Sequence, residues 1–358
     1  MKILVGLSGG VDSSVAAYLL KKAGHEVIGA TMSIWDKEMV FKAVSNKDGC
    51  FSPHEEEDVK AAKALCENLD IPYYVFDCTE QYKKLVLQNF KSEYMAGRTP
   101  NPCVICNSTI KFSALPLTAK AAGIEFDKFA TGHYARVIFD EKTNKYQLRS
   151  ALHTRKDQSY FLYRLTQEQL SKIMLPLGNY DKSQIRQFAR EAGLEVAEKP
   201  DSQDFYTGDI NDILQAEPKV GNFVDIHGKI LGQHNGIWHF TVGQRRGLGI
   251  SAEKPLYVLA LKPEKNEVVL GFEDQSVKHS LIAKNLVWSS GATPAEPFTA
   301  MAKIRSSQQP TPVEVEVLPD GSAKIEFENL QKAVAPGQSV VLYDNDLILG
   351  GGVIDSAE

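Results

Sequence analysis

Apolar positions in the first third of the chain alternate between strand-length runs and helical spacing. Lys2 to Leu7 is a short apolar run. Val15, Ala16, Leu19 and Leu20 follow at helical spacing, and Gly24 stands where that helix should stop. Glu26 to Met32 and Pro72 to Phe76 read as a second and third parallel strand, and Phe129 to Arg136 as a strand ending in a tight glycine turn. Val59, Ala62, Cys66 and Leu69 share one helical face. Ser52-Pro53-His54-Glu55 ahead of them reads as a capping box with proline at the first helical position. Further helices are expected over roughly 80–96, 166–173 and 182–192. This alternation predicts an α/β unit, a doubly wound parallel sheet, over residues 1–200. Beyond residue 200 the pattern turns to β. Gly221 to Gly232 reads as a hairpin, with a turn at Asn235-Gly236. Pro312–Leu318, Ala323–Phe327 and Ser339–Leu342 are short alternating runs. A small central domain (205–273) and a C-terminal antiparallel β-barrel (278–358) are therefore expected.

Composition sharpens this picture at three points. Of 358 residues, 43% are hydrophobic, enough for more than one core. No apolar run approaches the ~18 residues that span a bilayer, and the start lacks a signal peptide, so a cytoplasmic protein with no membrane partner is expected. The five cysteines, Cys50, Cys66, Cys78, Cys103 and Cys106, are odd in number and confined to the first third, unlike a disulfide framework. A reducing compartment fits them better. The net charge of −5 hides an asymmetry: residues 81–190 carry 18 Lys and Arg against 8 Asp and Glu. A basic middle in an acidic chain suits a protein that holds a polyanion on one face.

The candidate chemistry begins at Ser8-Gly9-Gly10-Val11-Asp12-Ser13-Ser14, between the first strand and the first helix. Such a turn aims backbone N–H groups at one point, at the positive end of a helix dipole, which makes a phosphate site. Its glycines allow close approach, and Ser8, Ser13 and Ser14 add hydroxyl donors. It lacks the Gly-Lys-Ser/Thr ending of a Walker A loop and the third glycine of a dinucleotide fingerprint. Asp12 either assists Mg²⁺ or is a favourable carboxylate in a first helical turn. Met32 lies at a strand end, where open α/β sheets bind ligands, and suits packing against an adenine; as core filler it needs no ligand.

A second focus is Gly97 to Asn107, held extended by Pro100 and Pro102. Asn107 or Ser108 is expected to cap the helix that follows. That would put Cys106 at a helix N-terminus, where a thiol's pKa falls. The Cys103–Cys106 pair points to redox, metal or sulfur chemistry. A structural zinc would need a second pair, or help from His54 or His133, because no cysteine follows residue 106. Cys66 reads as an inert core residue and Cys78 as structural. His133 lies at the ligand edge, beside nucleotide or nucleic acid. Arg155 to Tyr160 combines charge, amide and ring in the manner of phosphate and base contacts. Gly243 to Ile250, with Arg245 and Arg246, reads as a loop near RNA, because no helix follows it.

Ser8 to Ser13 resembles the pyrophosphate loop of enzymes that split ATP into AMP and pyrophosphate. Taken with Met32, Asn101-Pro102, Cys106-Asn107, Ala130 to Arg136, Lys156 to Tyr160, Gly243 to Gly249, Pro336 to Ser339 and Gly350 to Gly352, the chain resembles the bacterial tRNA 2-thiouridylases over essentially its whole length. The resemblance implies a PP-loop domain, a small central domain and a C-terminal β-barrel. It also implies replacement of oxygen by sulfur at carbon 2 of the wobble uridine of tRNA, using ATP and Mg²⁺ and a sulfur donor, either a persulfide carrier protein or sulfide. By position, Gly6, Leu7, Ser8, Gly9, Gly10, Val11, Asp12, Ser13, Met32 and Gly132 would bind ATP, and Cys106 would be the catalytic cysteine. Asn101, Pro102 and Cys103 would face the target base. His133, Lys156, Asp157, Gln158, Arg305, Ser306 and Gln338 would touch tRNA. The rival readings are an amidating synthetase with the same loop and a non-catalytic tRNA-binding protein.

One position departs from the family. Its pattern has a second cysteine, which carries the incoming sulfur as a persulfide, where Lys199 to Asp204 leads here into Phe205-Tyr206 and Tyr206 takes the cysteine's place. A phenol cannot carry a persulfide. Cys103, where many relatives have aspartate, is expected to compensate in one of two ways. It takes the persulfide itself and closes a disulfide with Cys106 after transfer, or it joins Cys106 and Cys50 in holding a [4Fe–4S] cluster with one open iron. The cluster is favoured, because it gives Cys50 a role.

Overall fold

The computed structural model describes residues 1–36, 49–194 and 205–358. The expected boundary near residue 200 and the Lys199–Asp204 stretch lie outside these. Strand β1 (Lys2–Gly6) carries Ile3, Leu4 and Val5 with no exposed surface, as a strand covered on both faces requires. Its partners are β2 (Glu26–Ser33) on one side and β4 (Lys128–Thr131) on the other, with β3 (Tyr73–Asp77) beyond β2. The strand expected over Phe129 to Arg136 divides at Gly132. Its second half opens the hairpin β5 (Ala135–Asp140) and β6 (Lys145–Ser150), and β7 (Ile173–Met174) then returns to the sheet. The order β3-β2-β1-β4-β7, parallel throughout, reverses direction between β1 and β4. The C-terminal ends of these two strands therefore frame the crevice in which doubly wound sheets bind ligands.

Helix α1 (Val11–Lys22) buries Val11, Val15, Ala16, Ala17 and Leu20, carries Asp12 in its first turn and ends on Lys21 and Lys22, in line with its dipole. Helix α2 (Glu55–Asn68) departs from expectation at its start. His54 is the N-cap residue, no side chain caps the helix, and Ser52 Oγ accepts only the His54 N–H. The Glu55 carboxylate is drawn away from a capping box: it accepts the N–H groups of Ile34 and Trp35 (2.6 and 3.1 Å) and the Ser33 hydroxyl (2.6 Å), and so fixes the ligand end of β2. Helix α3 (Thr79–Tyr82) passes through a π-wound stretch, Lys83–Leu87, into α4 (Gln88–Met95). Helix α5 (Pro102–Cys106) passes through a second, Asn107–Ala114, into α6 (Leu115–Ala121). Such widened turns gather at functional sites. Helices α7 (Gln167–Lys172) and α8 (Lys182–Glu191) open on full capping boxes at Thr166 and Asp181.

After the short helix α9 (Ile210–Leu214), the central domain is a four-stranded sheet, β8 (Gly221–Val224), β9 (Ile230–His234), β10 (Tyr257–Lys262) and β11 (Glu267–Gly271), in the order β10-β11-β8-β9. The C-terminal strands are β12 (Val277–Trp288), β13 (Phe298–Lys303), β14 (Thr311–Val317), β15 (Ala323–Lys332), β16 (Ser339–Asp344) and β17 (Leu347–Ala357). Pairing of β12 with both β15 and β17 closes them into an antiparallel barrel, around Leu281, Val313, Val315, Ile325, Val340 and Ile354. The β5–β6 hairpin joins this barrel through Arg149 and Leu347, so the first domain contributes two strands to the last one's sheet.

Candidate active site

Directly after β1 the chain turns through Ser8 to Gly10 into α1. The Ser13 hydroxyl accepts the Ser8 N–H (3.2 Å), and the Ser14 hydroxyl donates to the Gly10 carbonyl (2.9 Å), which locks the turn. Gly9 has φ +70°, and a Cβ there would lie 2.7 Å from the Asp58 carbonyl oxygen. At Gly132 a Cβ would lie 2.6 Å from both the Asp12 carbonyl carbon and the Ser13 nitrogen. The end of β4 therefore touches the backbone of the first turn of α1. Both glycines are required by close approach. The first N–H groups of α1 have no intrahelical acceptor and face the crevice, as an anion site demands.

The crevice is a cavity of about 440 Å³, within the usual range for small-molecule sites. Gly6, Leu7, Ser8, Val11, Asp12, Ser13, Met32 and Gly132, all expected to hold ATP, line it, while Gly9 and Gly10 shape the turn. Its floor and walls suit a nucleoside triphosphate: the helix N-terminus for phosphates, and Met32, Ile34 and Leu115 for a base. Asp12 stands in the first helical turn and also braces the site. Its Oδ1 accepts the Tyr134 hydroxyl (2.6 Å) and a Lys182 N–H (2.7 Å), tying α1 to β4 and α8.

His133, Lys156 and Gln158 also line this crevice. The His133 Nδ1 meets the Thr131 hydroxyl at 2.8 Å. Burial, then the nearby Lys111 ammonium, hold the imidazole well below the ordinary histidine range, so it is neutral at physiological pH. Asp157 and Gln158 organise their own loop. Asp157 accepts the N–H groups of Ala151 and Ser159 and the Ser159 hydroxyl, and Gln158 exchanges hydrogen bonds with the Tyr134 backbone (2.9 and 3.0 Å). That pinning leaves Lys156 in the crevice wall.

Of the cysteines, Cys50 lines the crevice and Cys103 and Cys106 do not, and the helix that carries the latter pair corrects one expectation. Asn101, not Asn107 or Ser108, caps the helix: its Oδ1 accepts the Val104 N–H (3.3 Å), and Pro102 follows at the first helical position. Cys103 therefore stands in the first turn, and Cys106 a turn deeper. Burial pushes the Cys106 thiol up to about 12, with only partial relief from Lys111. It is a thiol in the resting protein, not the activated thiolate that a helix N-terminus would give. Cys50 exposes its surface to the crevice, and its thiol donates weakly to the Phe205 carbonyl (3.7 Å). Tyr82 is wholly buried, and its hydroxyl has no hydrogen-bond partner. Burial and then Cys50, Cys106 and Cys103, in that order, raise its pKa well above the ordinary phenol range. Cys66 and Cys78 are buried in the core, raised to about 12 and about 11 by burial, in keeping with inert roles. Phe51 stacks on Tyr82 (5.4 Å) and on Phe205 (5.9 Å). Tyr206 donates to Asp212 Oδ2 (3.0 Å), which makes it a link to the central domain. Among the described residues no three His, Cys, Asp or Glu side chains are grouped so as to hold a metal ion.

The barrel reaches back to the cysteine loop. Thr99 N–H donates to the Pro336 carbonyl (2.8 Å), and Gln338 Nε2 donates to the carbonyls of Thr99 (3.0 Å) and Pro100 (3.2 Å). Arg98 donates to the Ile354 carbonyl (3.0 Å) and pairs with Asp355 and Glu93. Gln338, expected at tRNA, thus braces the segment that leads into Asn101–Cys106. Arg305 lies half-buried, donating to Val242 and Ala333 carbonyls, with Ser306 in the turn behind it. Gly243 packs against Ala333 of the barrel, while Arg245 and Arg246 are exposed. Nothing in the spacing or composition pointed to Lys111, Tyr82, the Gln338 brace or the role of Glu55 at the end of β2.

A doubly wound sheet with an anion-cradling first turn, joined to a closed β-barrel that braces a cysteine loop, defines a multidomain enzyme of the HUP-type nucleotide-binding class. Residues 1–206 match the tRNA methyl transferase HUP domain, 210–272 the tRNA methyl transferase PRC-barrel domain and 278–354 the aminomethyltransferase beta-barrel domain. The tRNA-specific 2-thiouridylase MnmA of Endomicrobium trichonymphae is 51% identical over 356 residues, covering 99% of each chain. That of Clostridium botulinum (strain Eklund 17B) is 46% identical over 99% of this chain and 98% of its own. That of Acetivibrio thermocellus is 45% identical over 99% of each. The chain belongs to the tRNA-specific 2-thiouridylase family. Among the described residues no helix is long and apolar enough to cross a membrane.

Proposed function

We propose that this chain uses ATP to replace the O2 oxygen of the tRNA wobble uridine with sulfur, working in the cytoplasm, with functional units at 1–200, 205–273 and 278–358. The observation that carries the reading is one crevice with the phosphate-cradling turn, Lys111 and the Cys50 thiol in its walls, and Cys106 within reach of the Lys111 charge. The family model's description speaks of methyl transfer, but a crevice joining phosphate chemistry to thiols suits sulfur transfer, as the full-length relatives are named.

A uridine carbonyl oxygen leaves poorly, and adenylation makes the departing group AMP. Gly9 to Ser13 hold the phosphates with N–H and O–H donors, and Lys182, paired with Asp12, adds positive charge at the helix start. Mg²⁺ would neutralise the phosphates; Asp12 and Asp58 are carboxylates that line the crevice beside the turn. Asn101, Pro102 and Cys103 face the base, which must leave its stack to be reached. Cys106 attacks the outer sulfur of a persulfide donor, and its proton passes to the donor, which departs as a thiol. The Cys106 persulfide anion then attacks carbon 2, and AMP leaves with the carbon–oxygen electron pair. Cys103 next attacks the inner sulfur of Cys106. The sulfur–sulfur bond breaks with its electron pair on the uridine's sulfur, Cys103 and Cys106 are left as a disulfide, and a dithiol reductant resets it. The i, i+3 spacing on one helix puts both thiols on one face.

A second reading, a [4Fe–4S] cluster on Cys50, Cys103 and Cys106, is favoured by all three thiols acting on the one buried Tyr82 hydroxyl. The side chains as placed do not form a metal-holding set, so no step is derived through a cluster. Anaerobic reconstitution with iron and sulfide decides: broad absorbance near ~400 nm that Cys50→Ala abolishes supports the cluster, and colourless protein supports the relay.

Contacts to tRNA are assigned to His133, Lys156, Asp157, Gln158, Arg305, Ser306 and Gln338, with Lys156 at a phosphate. Lys156→Ala is expected to weaken tRNA binding and lower the slope of log K against log salt by about one. ATP affinity without tRNA should be unchanged. An unaltered slope would place Lys156 off the RNA. The reaction class is tested by its nucleotide products: tRNA-dependent AMP and pyrophosphate are expected, and ADP with phosphate would refute it.

A further inference from the structure

The segment Gly97 to Pro100 leads from α4 into the cysteine helix, and all three domains grip it. Its start is fixed by α4 itself. Gly97, at φ +68°, ends that helix, its N–H donating to the Tyr94 carbonyl (3.0 Å) and that of Arg98 to the Glu93 carbonyl (2.9 Å). The central domain adds two contacts. A Cβ on Gly97 would lie 3.0 Å from Pro263 and 3.2 Å from Leu261 of β10, and the Thr99 hydroxyl donates to the Thr241 hydroxyl at 3.2 Å. The barrel holds the backbone of Thr99 and Pro100 through Pro336 and Gln338, and a Cβ on Gly337 would lie 2.8 Å from the Thr99 nitrogen. Arg98 completes the junction. Its Nε donates to Glu93 Oε2 (2.8 Å), its Nη2 to the Ile354 carbonyl (3.0 Å), and its Nη1 to both the carbonyl and the carboxylate of Asp355 (3.3 Å each).

We propose that Arg98 is a positioning residue of sulfur transfer: it fastens the loop before the Pro102–Cys106 helix to the barrel, so that sulfur meets the activated uridine only while barrel and catalytic domain are docked. The inference rests on the thiolation reading for its consequence, though not for its geometry. Three nitrogens of one planar group are engaged at once, which fixes the direction of the loop as well as its distance from the barrel. Pro100 and Pro102 stiffen the backbone between Arg98 and Cys103, so a displacement at Arg98 is passed on rather than absorbed. A cavity of about 220 Å³ lies beside the loop, lined by Glu93, Arg98, Asn101, Val104 and Gly337 among others. It is the space into which an unfastened loop relaxes. The phosphate turn sits on another element, so activation of the uridine is left intact. When sulfur is misplaced, water attacks carbon 2 instead. AMP leaves with the carbon–oxygen electron pair, the protons of water pass to the base and to solvent, and uridine is restored.

Arg98→Lys in the full-length protein keeps the charge but offers one nitrogen where the guanidinium uses three. Three measurements read the proposal. First, 2-thiouridine and AMP are counted in the same reaction. Thiouridine per AMP should fall about tenfold or more, because ~1 Å of misplacement costs on the order of 10²-fold, while ATP affinity stays unchanged. A fall of both products together, with their ratio kept, marks a merely structural loss and overturns the proposal. Second, the slope of log K for tRNA against log salt should stay the same in Arg98→Ala. A slope lower by about one would make Arg98 a phosphate contact instead and overturn the proposal. Third, amide hydrogen exchange, which needs no turnover, should quicken about tenfold at Val104 to Cys106 and not in α1. Unchanged exchange there overturns the proposal. Should Arg98→Lys fail to fold, Asp355→Ala loosens the same clamp from the barrel side and is read by the same product ratio and exchange. If the unaltered protein makes no thiouridine while exchange at Val104 to Cys106 still quickens in Arg98→Lys, the thiolation reading falls and the clamp stands.

Discussion

Cys106→Ala is expected to make no detectable 2-thiouridine while ATP and tRNA still bind with affinities near those of the unaltered protein. The separation follows from distance along the structure. In the proposed reading phosphates are held by the turn between β1 and α1, whereas Cys106 lies in α5, on an element that the barrel braces through Thr99 and Pro100. Alanine fits a helix interior, and the site is buried, so the change leaves a small void rather than a clash. Loss of the sulfur removes the atom that carries the incoming sulfur, so at least ~10³-fold should disappear from the rate of transfer. Nucleoside analysis beside equilibrium ATP binding checks both halves. Thiolation at the unaltered rate would mean that Cys103 or Cys50 is the nucleophile.

Gly132→Ala is expected to have the opposite profile, with ATP binding lost first. The added Cβ meets the backbone of Asp12 and Ser13 at 2.6 Å, and backbone cannot rotate away as a side chain can. Either the end of β4 or the first turn of α1 must shift, and both form the phosphate cradle. Helix α1 is anchored by Val11, Val15, Ala16 and Ala17 in the core, and Asp12 is tied to Tyr134 and Lys182. The strain therefore has little room to relax, and a stability loss of about 1–3 kcal/mol is expected. A shift of even ~1 Å at such donors costs on the order of 10²-fold. Calorimetric ATP titration and thermal unfolding read the two effects. Unchanged ATP affinity would show that the contact between β4 and α1 is not part of the nucleotide site.

What the chain disclosed by itself was its local chemistry. The strand, turn and helix around Ser8 to Ser13 are contiguous, so spacing and turn residues were sufficient to place them. The barrel strands were legible where they alternate, as in the buried–exposed pattern of Thr311–Val317. The cysteine helix was misplaced because Asn101 and Asn107 are both competent caps. Pro102 at the first helical position and the π-wound continuation through Asn107–Ala114 decided for Asn101. With that choice Cys106 moved from a helix start to a buried interior and from thiolate to thiol. Long-range pairs left no trace in periodicity. Gln338 meets Thr99 across 239 positions, and Cys50 meets the Phe205 carbonyl across 155. Tyr206 reads from sequence as a phenol unable to carry sulfur, while its hydrogen bond to Asp212 is a tertiary fact.

The most direct test of the central claim is mass spectrometry of nucleosides from unmodified tRNA incubated with the protein, ATP, Mg²⁺ and a persulfide source, with AMP counted in the same sample. One 2-thiouridine at the wobble position for each AMP released is the predicted result. AMP formed without thiouridine, or thiouridine formed without ATP, would contradict the account.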